Sequence, residues 1–491
     1  MYFIGIDIGT TSVKMIAVDE KGTIAKSISK EYPLSFPKPL WSEQNPEDWW
    51  KQSINGFKEL LDSLDKNEVK AISFSGQMHG LVTLDQDDKV VRPAILWNDQ
   101  RTEKECLYLN EEIGQNKISK WTGNLALTGF TAPKILWLKE NEPENFAKTK
   151  KIMLPKDYIA YKMSGVFATD MSDASGTLYL DVKNRKWSQE MMNLLGISES
   201  QLPKLYESYE VIGNIKAELA NELGLSQDVK IIIGGGDQAV AAVGCGIVGP
   251  GSCSLSLGTS GVVFTSNEKF FVDEKNSLHS FCHANGKYHL MGVTLAAAAS
   301  LKWWVEKINE TNDFDKLLDG AKEVKIEESL FYLPYLMGER TPHNDANCRG
   351  TFIGLDLTHE RKHMTRAVLE GVAFSLRDTF EIMKKMGIEI ANVNINGGGA
   401  KSRLWCEIIA DILNVTVNKL NTNEGPAYGA AILASVGFGM FDTVEDACSK
   451  LLKITESIYP SKDKSKLYDK KYEKFRKIYP ATKELFKQLT D

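Results

Sequence analysis

Short apolar runs separated by polar turns open the chain and predict a small sheet. Three such runs lie at residues 2–8, 13–19 and 23–30. Each has the length and alternation of a β-strand. Pro46 then begins a predicted helix with Asn45 as its N-cap. A further apolar run at 69–75 ends at a glycine and predicts a strand that follows this helix. A meander, a helix and another strand are typical of nucleotide-binding domains.

The second half of the chain repeats this pattern. Strands are predicted at 252–257, 262–265, 288–292 and 393–396, and helices at 294–308, 360–386 and 468–489. The helix at the end is basic and amphipathic, which predicts a packing element. Gly249-Pro250-Gly251 marks a hinge between the halves. We therefore expect two domains, residues 1–246 and 247–491.

The same short phrase occurs once in each half. The copies are Asp7-Ile8-Gly9-Thr10-Thr11-Ser12-Val13-Lys14 and Ser256-Leu257-Gly258-Thr259-Ser260-Gly261-Val262-Val263. Each places a Gly-Thr turn between two strands, and such a turn exposes N–H groups and small hydroxyls that can hold a phosphate. Two copies predict two similar domains that face each other across a nucleotide.

Composition narrows the class of protein. The 491 residues are too many for one core, and 43% hydrophobic with 25% charged residues is typical of a soluble globular protein. A net charge of -6 gives no reason to expect a nucleic-acid partner. Seven scattered cysteines predict a reduced, cytoplasmic location. No signal peptide or membrane span is expected, since Asp7 interrupts the first apolar run and glycines interrupt the segment 231–251.

Two aspartates are the strongest catalytic candidates. Asp237 is the only charge in the segment 231–251 and follows an Ile-rich strand, at the point where α/β sheets bind their ligands. Capping of the next helix is the structural alternative. Asp7 ends the first strand beside a phosphate turn, where it can hold Mg²⁺ through water. A hydrogen bond to that turn is its structural alternative.

Three other motifs favour different functions, but each lacks part of its pattern or context. Gly234–Ala239 fits a dinucleotide-binding pattern, but no acidic residue lies on a strand about 20 residues later. His359-Glu360-Arg361-Lys362-His363 fits a zinc-protease pattern without a third ligand. The histidines of 279–283 alternate with apolar residues, which favours a strand over a metal site. A P-loop sequence is absent, which excludes that class of kinase.

Longer segments identify the chain as similar to the FGGY family of carbohydrate kinases. They are Trp41-Ser42-Glu43-Gln44, Gly76-Gln77-Met78-His79-Gly80, Leu96-Trp97-Asn98-Asp99, Gly129-Phe130-Thr131-Ala132-Pro133-Lys134, Leu154-Pro155-Lys156-Asp157-Tyr158, Gly234-Gly235-Gly236-Asp237, Gly338-Glu339-Arg340-Thr341-Pro342-His343 and Gly397-Gly398-Gly399-Ala400. The resemblance implies an α/β fold of two actin-like, or ribonuclease H-like, ATPase domains with a central cleft for nucleotide and substrate.

The resemblance also implies roles for single residues. Asp237 would be the catalytic base and Asp7 the Mg²⁺ residue. The sugar would be contacted by Gln77, Met78, His79, Trp97, Asp237 and Gln238. ATP would be contacted by Gly9, Thr10, Thr11, Ser12, Lys14, Gly258, Thr259, Lys302, Gly398, Gly399, Ala400 and Arg403. Gln238 departs from the family pattern, which often has Asn there, although either amide can bind a hydroxyl.

The Gln-Met-His-Gly and Trp-Asn-Asp segments resemble the branch of the family that acts on D-xylulose. The implied reaction transfers the γ-phosphate of ATP to O5 of D-xylulose, with Mg²⁺, and gives D-xylulose 5-phosphate. Another sugar or polyol, such as ribulose, glycerol or gluconate, is the nearest alternative. A non-enzymatic actin-like nucleotide switch is the alternative from another class, and it would not need Asp237. The resemblance permits a homodimer.

Overall fold

The computed structural model describes residues 1–326, 329–422 and 424–490. Six strands of this described chain form the first sheet, in the order Val211–Asn214, Lys230–Gly236, Val69–Gly76, Tyr2–Ile8, Ser12–Asp19 and Ile24–Glu31. Tyr2–Ile8 pairs antiparallel with Ser12–Asp19 and parallel with Val69–Gly76. The predicted meander and its fourth strand are therefore confirmed to within about one residue.

A second sheet repeats this arrangement with seven strands among the described residues. Their order is His279–Cys282, Tyr288–Thr294, Gly261–Asn267, Cys253–Leu257, Asn392–Asn396, Thr416–Leu420 and Ile454–Ile458. Cys253–Leu257 pairs antiparallel with Gly261–Asn267 and parallel with Asn392–Asn396. Its place in this sheet matches the place of Tyr2–Ile8 in the first sheet. The predicted hairpin of the second half is confirmed, and so is a strand at His279–Cys282.

Short two-stranded sheets and helices complete the fold. The short pairs are Glu43–Gln44 with Ala94–Ile95, Val82–Leu84 with Lys151–Met153, Ala168–Asp170 with Lys204–Tyr206, Leu180–Asp181 with Lys186–Trp187, and Phe331–Leu333 with Thr351–Ile353. The α-helices are Pro46–Leu61, Glu103–Leu107, Gln115–Thr122, Thr131–Asn141, Pro143–Lys148, Pro155–Ser164, Met171–Ser175, Gln189–Leu195, Ala217–Leu223, Asp237–Gly244, Ala298–Lys302, Phe314–Lys322, Arg361–Lys385, Arg403–Leu413, Gly425–Phe438, Val444–Leu451 and Lys462–Thr490. In the parts of the chain that the structure describes, no helix has the length and apolar character that crossing a membrane requires.

Two predicted helices begin elsewhere in the structure. Thr294 still pairs with Gly261 in the sheet, so the helix predicted from 294 begins at Ala298. It then continues as a π-helix over Trp303–Ile308. The helix near the end of the chain begins at Lys462, six residues before the predicted start at 468, and passes through Pro480. The buried Tyr468, Tyr472 and Phe475 attach it to the second core, which confirms the packing role.

One helix of the second half packs on the first sheet. Gly425–Phe438 lies so close to that sheet that a Cβ at Gly5 would be 1.9 Å from the carbonyl oxygen of Ala427. A Cβ at Gly429 would be 1.9 Å from the carbonyl oxygen of Val240. Glycine is needed at both positions because backbone meets backbone. The halves are therefore interlocked, and the domain boundary at 246/247 stays a prediction.

The competing motifs take structural roles. His363 Nδ1 accepts a hydrogen bond from the Glu360 N–H at the start of helix Arg361–Lys385. His359 Nδ1 accepts one from the Asp356 N–H. Among the described residues, no group of three His, Cys, Asp or Glu side chains is arranged to hold a metal ion. All seven cysteines are free and buried.

Candidate active site

Three parallel strands of the first sheet end together and bring both catalytic candidates to one edge. The register pairs Asp7 with Ser75 and Ser75 with Gly235. Asp237 follows Gly235 by two residues and is the first residue of helix Asp237–Gly244. Ligands of α/β sheets bind at the carboxyl ends of strands. The structure therefore places Asp7 and Asp237 where the sequence predicts a reaction site.

The two carboxylates disfavour each other's charge. Burial, and then the nearby Asp7, raises the pKa of Asp237 to about 7, although hydrogen bonds from Gln238 oppose this. Burial raises the pKa of Asp7 to about 6, against the effects of Ser75 and Lys14. Buried Asp7 Oδ1 has no hydrogen-bond partner among the described residues. An unpartnered carboxylate oxygen in a negative site fits a hydrated Mg²⁺, which binds few protein carboxylates and keeps several waters.

The first phosphate turn is held from three sides. The Gly9 N–H donates to the Ser12 carbonyl at 3.0 Å and closes the turn. Gln44 Nε2 donates to the Thr10 carbonyl at 2.7 Å, and Trp97 Nε1 donates to Thr10 Oγ1 at 3.0 Å. A cradle that is already fixed loses little conformational freedom when a phosphate binds. This rigidity suits the turn to that purpose.

Lys14 lies on the strand after this turn and forms an ion pair with Glu424. Glu424 immediately precedes helix Gly425–Phe438, so the pair joins residues from the two halves of the chain. Both side chains are about one-third exposed, 38% and 30%. A partly exposed pair of this kind is weak, so a phosphate can replace the carboxylate as the partner of Lys14. The predicted phosphate role of Lys14 therefore stays open to test.

Met78 and His79 form the wall beside Asp237. A Cβ at Gly236 would lie 2.9 Å from Met78 Sδ, so the thioether covers the residue before Asp237. His79 Nδ1 bonds the Gly176 carbonyl at 2.6 Å, and its ring stacks on Phe130 with centroids 4.7 Å apart. Burial lowers the pKa of His79 to about 3, so its ring is neutral. A neutral ring that donates through Nδ1 presents Nε2 as an acceptor.

Three other predicted sugar residues lie around this wall. Gln77 is buried, its Nε2 donates to Gln44 Oε1 at 3.1 Å, and its Oε1 has no partner among the described residues. Trp97 is 46% exposed and bonded to Thr10, so it lies beside the phosphate turn. Gln238 is half-buried next to Asp237. Gln77, through Gln44, and Trp97 are therefore linked to the Thr10 turn, whereas Gln238 lies next to Asp237.

The second turn borders a cavity of about 550 Å³. Four predicted ATP residues line it, namely Thr259, Lys302, Gly398 and Gly399. The carbonyls of Gly258 and Thr259 accept hydrogen bonds from the N–H groups of Ala297, Ala298 and Ala299. These bonds explain why the helix predicted from 294 begins later.

Aromatic and aliphatic side chains that the sequence did not single out close this cavity. They are Leu301, Phe314, Leu318 and Trp405. Helix Phe314–Lys322 places Phe314 and Leu318 on one face, four residues apart. That spacing is visible in the sequence, but it does not distinguish a ligand wall from an ordinary core face. Apolar walls with few polar groups suit a purine.

Three predicted ATP residues of the second half, Gly258, Ala400 and Arg403, are not part of the cavity lining. Arg403 is 67% exposed and pairs with Glu407 and Glu456. Ala400 is buried, and its N–H donates to the Gly397 carbonyl in a 3₁₀ turn. Their predicted contacts with ATP stay predictions. The sequence prediction did not include Arg340. Its positive charge helps to lower the pKa of both His79 and His279, close to the wall that Met78 and His79 form.

A buried charge cluster behind Asp237 was also missed. Lys156 Nζ lies 2.6 Å from Asp157, 2.9 Å from Asp170 and 3.7 Å from Asp173. Ser172 Oγ donates to Asp170 and accepts from the Gly236 N–H at 3.1 Å. Burial raises the pKa of Asp173 well above its ordinary value; Lys156 opposes the shift, and Asp157, Asp170 and, least, Asp237 add to it. The cluster therefore supports the strand that carries the catalytic candidate.

Comparisons with known proteins agree with this geometry. Models of the N-terminal and C-terminal domains of the FGGY family of carbohydrate kinases match residues 2–244 and 253–438. The chain is 42% identical to a xylulose kinase of Bacillus subtilis over 99% of this chain and 98% of that protein. A crystal structure of a xylulose kinase from Brucella ovis superposes with a TM-score of 0.94 at 38% identity, covering 99% of this chain and 100% of that one. A gluconate kinase from Lactobacillus acidophilus gives 0.95 at 29% identity, covering 99% of each chain. The expected α/β fold of two actin-like domains is confirmed.

Proposed function

Because the chain belongs to the FGGY family of carbohydrate kinases, we infer that it transfers the γ-phosphate of ATP to O5 of D-xylulose, giving D-xylulose 5-phosphate and ADP. The choice of sugar is supported by relatives named xylulose kinase that match nearly the whole chain. The observation that carries the chemistry is the placement of Asp237 beside Asp7, Met78 and His79 at one strand edge.

Asp237 acts as the general base in this proposal. Phosphoryl transfer has a loose transition state, so the base mainly orients the attacking hydroxyl and accepts its proton late. A carboxylate with a pKa near 7 accepts a proton more readily than an ordinary aspartate does. His79 Nε2 accepts a hydrogen bond from another sugar hydroxyl, and Met78 packs against the carbon skeleton.

The nucleotide lies between the two turns in this proposal. Gly9, Thr10, Thr11 and Ser12 contact the phosphates, and Lys14 leaves Glu424 to neutralise the departing diphosphate. Adenosine occupies the cavity lined by Thr259, Lys302, Gly398 and Gly399. Asp7 would hold Mg²⁺ through water, and the ion would neutralise charge on the transferred phosphate. Exclusion of water from this space would prevent loss of the phosphate by hydrolysis.

The setting of the protein is also part of the proposal. Seven free, buried cysteines support a reducing cytoplasmic location.

We propose a homodimer on the family resemblance alone. Light scattering coupled to size exclusion measures the mass directly, and a mass near 54.8 kDa would indicate a monomer and overturn that part.

A coupled assay tests the main proposal. ADP release is followed through NADH oxidation with Mg-ATP and D-xylulose, D-ribulose, L-ribulose, L-xylulose, glycerol or gluconate. We expect D-xylulose to give the highest kcat/KM by at least about tenfold, because a site built for a given set of hydroxyls leaves polar groups unpaired with the wrong sugar. A higher value for gluconate or another member would overturn the sugar. No stimulation by any of them would favour the nucleotide-switch alternative.

A further inference from the structure

His79 has an unusual backbone conformation. Its φ is +69°, in the left-handed region that residues other than glycine rarely adopt. Such a conformation persists only where surrounding contacts hold it in place. The carbonyl of His79 is held by two donors from one helix, Thr131–Asn141. This region therefore contains both a strained residue and the groups that stabilise it.

Lys134 is the stronger of the two donors. Its Nζ donates to the His79 carbonyl at 2.8 Å and to the Gly129 carbonyl at 2.7 Å. Thr131 Oγ1 donates to the same His79 carbonyl at 3.1 Å. The two donors lie in the first turn of the helix, 55 and 52 residues from His79 in sequence.

The environment of Lys134 is costly for a lysine. Its side chain is fully buried, and no carboxylate of the described residues lies within ion-pair distance of Nζ. Burial accordingly lowers the pKa of Lys134 to about 7, although Asp99 nearby opposes the shift. A buried lysine without an ion-pair partner is rare. An apolar residue would fill the same space at lower cost, so packing alone does not explain it.

We propose that Lys134, together with Thr131, is a positioning residue for sugar binding, because it fixes the His79 backbone and thereby aims the imidazole. The Gly176 carbonyl sets the ring tautomer through Nδ1, and Phe130 sets the ring plane. Lys134 holds the backbone carbonyl of the same residue. The role rests on the proposed function, in which His79 Nε2 binds a sugar hydroxyl.

The first test replaces Lys134 with methionine, which has similar length but cannot donate. We expect Lys134→Met to raise the KM for D-xylulose at least about tenfold, while the Kd of Mg-ATP from direct binding changes less than twofold. In a His79→Ala background the same substitution should add less than threefold, because a group that acts through His79 has nothing left to position. Equal effects on sugar and nucleotide, or additive effects in the double variant, would overturn the proposal.

Thr131 gives a second test that preserves the fold. Thr131→Val removes the hydroxyl in the same shape, and Thr131→Ser restores it. We expect the KM for D-xylulose to rise threefold or more in Thr131→Val and to return to the wild-type value in Thr131→Ser. Thr102→Val is the matched control, since it removes a nearby hydroxyl that donates to the Thr128 carbonyl at 3.0 Å. A similar rise in the control would make the role structural and overturn the proposal.

These outcomes also separate the proposal from the function on which it rests. If the wild-type protein phosphorylates none of the sugars, the proposed function fails. If it phosphorylates D-xylulose and the Thr131 and Lys134 variants keep the wild-type KM for that sugar, only the positioning role fails.

Discussion

The two Gly-Thr turns share a sequence phrase and a place in their sheets, but they differ in charge. Asp7 and Lys14 of the first copy correspond to Ser256 and Val263 of the second. Asp7 pairs across the sheet with Ser75, next to the strand that leads to Asp237. The second copy is uncharged, and its turn is bonded to the start of helix Ala298–Lys302. The repeated hairpin therefore places a Gly-Thr turn in each sheet, but it places charged side chains only in the first.

The neighbouring parallel strand explains why the copies differ. Strand Val69–Gly76 lies between Tyr2–Ile8 and Lys230–Gly236 and runs parallel to both. The carboxyl ends of the three strands therefore lie side by side, which brings Asp7, Ser75 and the residues that lead to Asp237 together. The corresponding neighbour of the second turn is Asn392–Asn396, in which Asn396 pairs with Ser256. It leads into glycines 397–399, beside the apolar cavity. One edge suits proton transfer and metal binding, whereas the other suits a nucleoside.

The largest effect is expected for Asp237→Asn, at the charged edge of the first sheet, which is the group of strand ends that carries Asp7 and Asp237. The amide keeps the shape but cannot accept the proton, so kcat should fall about 10²–10⁴-fold. The matched control is Asp378→Asn in the second half. Burial also raises the pKa of Asp378 to about 7, but this carboxylate bonds Tyr472 away from the strand ends. If steady-state assays give Asp237→Asn and its control similar kcat values, the assignment of the base is wrong.

A direct comparison of the two copies follows from Asp7→Asn and Ser256→Ala. Loss of a metal-orienting carboxylate should lower kcat by about 10–100-fold at fixed Mg²⁺ and raise the Mg²⁺ needed for half-maximal rate. Ser256→Ala should change kcat less than threefold, since this position carries no charge. Titration of kcat against free Mg²⁺ measures both. An unchanged Mg²⁺ requirement in Asp7→Asn would contradict the metal role.

Asp7 and Asp237 have the clearest local signal in the sequence, and both lie at the strand ends where the sequence predicts them, while their roles stay predictions. Asp7 and Asp237 each interrupt an apolar run at a strand end, and the parallel register then brings them together. For Arg403 the sequence does not indicate on which side of its helix the side chain lies. It lies on the same helix as Trp405, which lines the cavity, but two helical positions differ by about 200° around the axis. Arg403 therefore faces solvent and its acidic partners.

Other features depend on contacts that are distant in sequence. Lys134 supports a carbonyl 55 residues away, and no local pattern reveals that contact. The packing of helix Gly425–Phe438 on the first sheet is also invisible in the order of elements, because the chain places it in the second half. Its apolar, small-residue composition indicates a buried helix but does not name the sheet that buries it.

The acid limb of the pH profile should report the charged edge. Asp237 must be ionised to accept a proton, and its pKa is raised above the ordinary 3.8 toward about 7. The value of kcat/KM for the sugar should therefore rise with pH and level off near neutrality. On the acid side, log(kcat/KM) should rise by about one unit per pH unit. A midpoint at or below pH 4 would contradict the proposed base.

The smallest expected effect lies at the uncharged edge, for Gly399→Ala. A Cβ there would be 2.8 Å from Trp405 Cζ3 and 2.9 Å from Leu257 Cβ, so Trp405 must move in the cavity wall. Overpacking costs about 1–3 kcal/mol, which corresponds to a rise of about fivefold or more in the KM for ATP if the nucleotide site bears it. Gly249→Ala is the control, because a Cβ there meets no atom of the described residues within 4 Å. The KM for D-xylulose should stay unchanged, since we propose that this cavity binds the nucleoside and not the sugar. A selective rise in the KM for D-xylulose would contradict the assignment of sugar to the first sheet and nucleoside to the second.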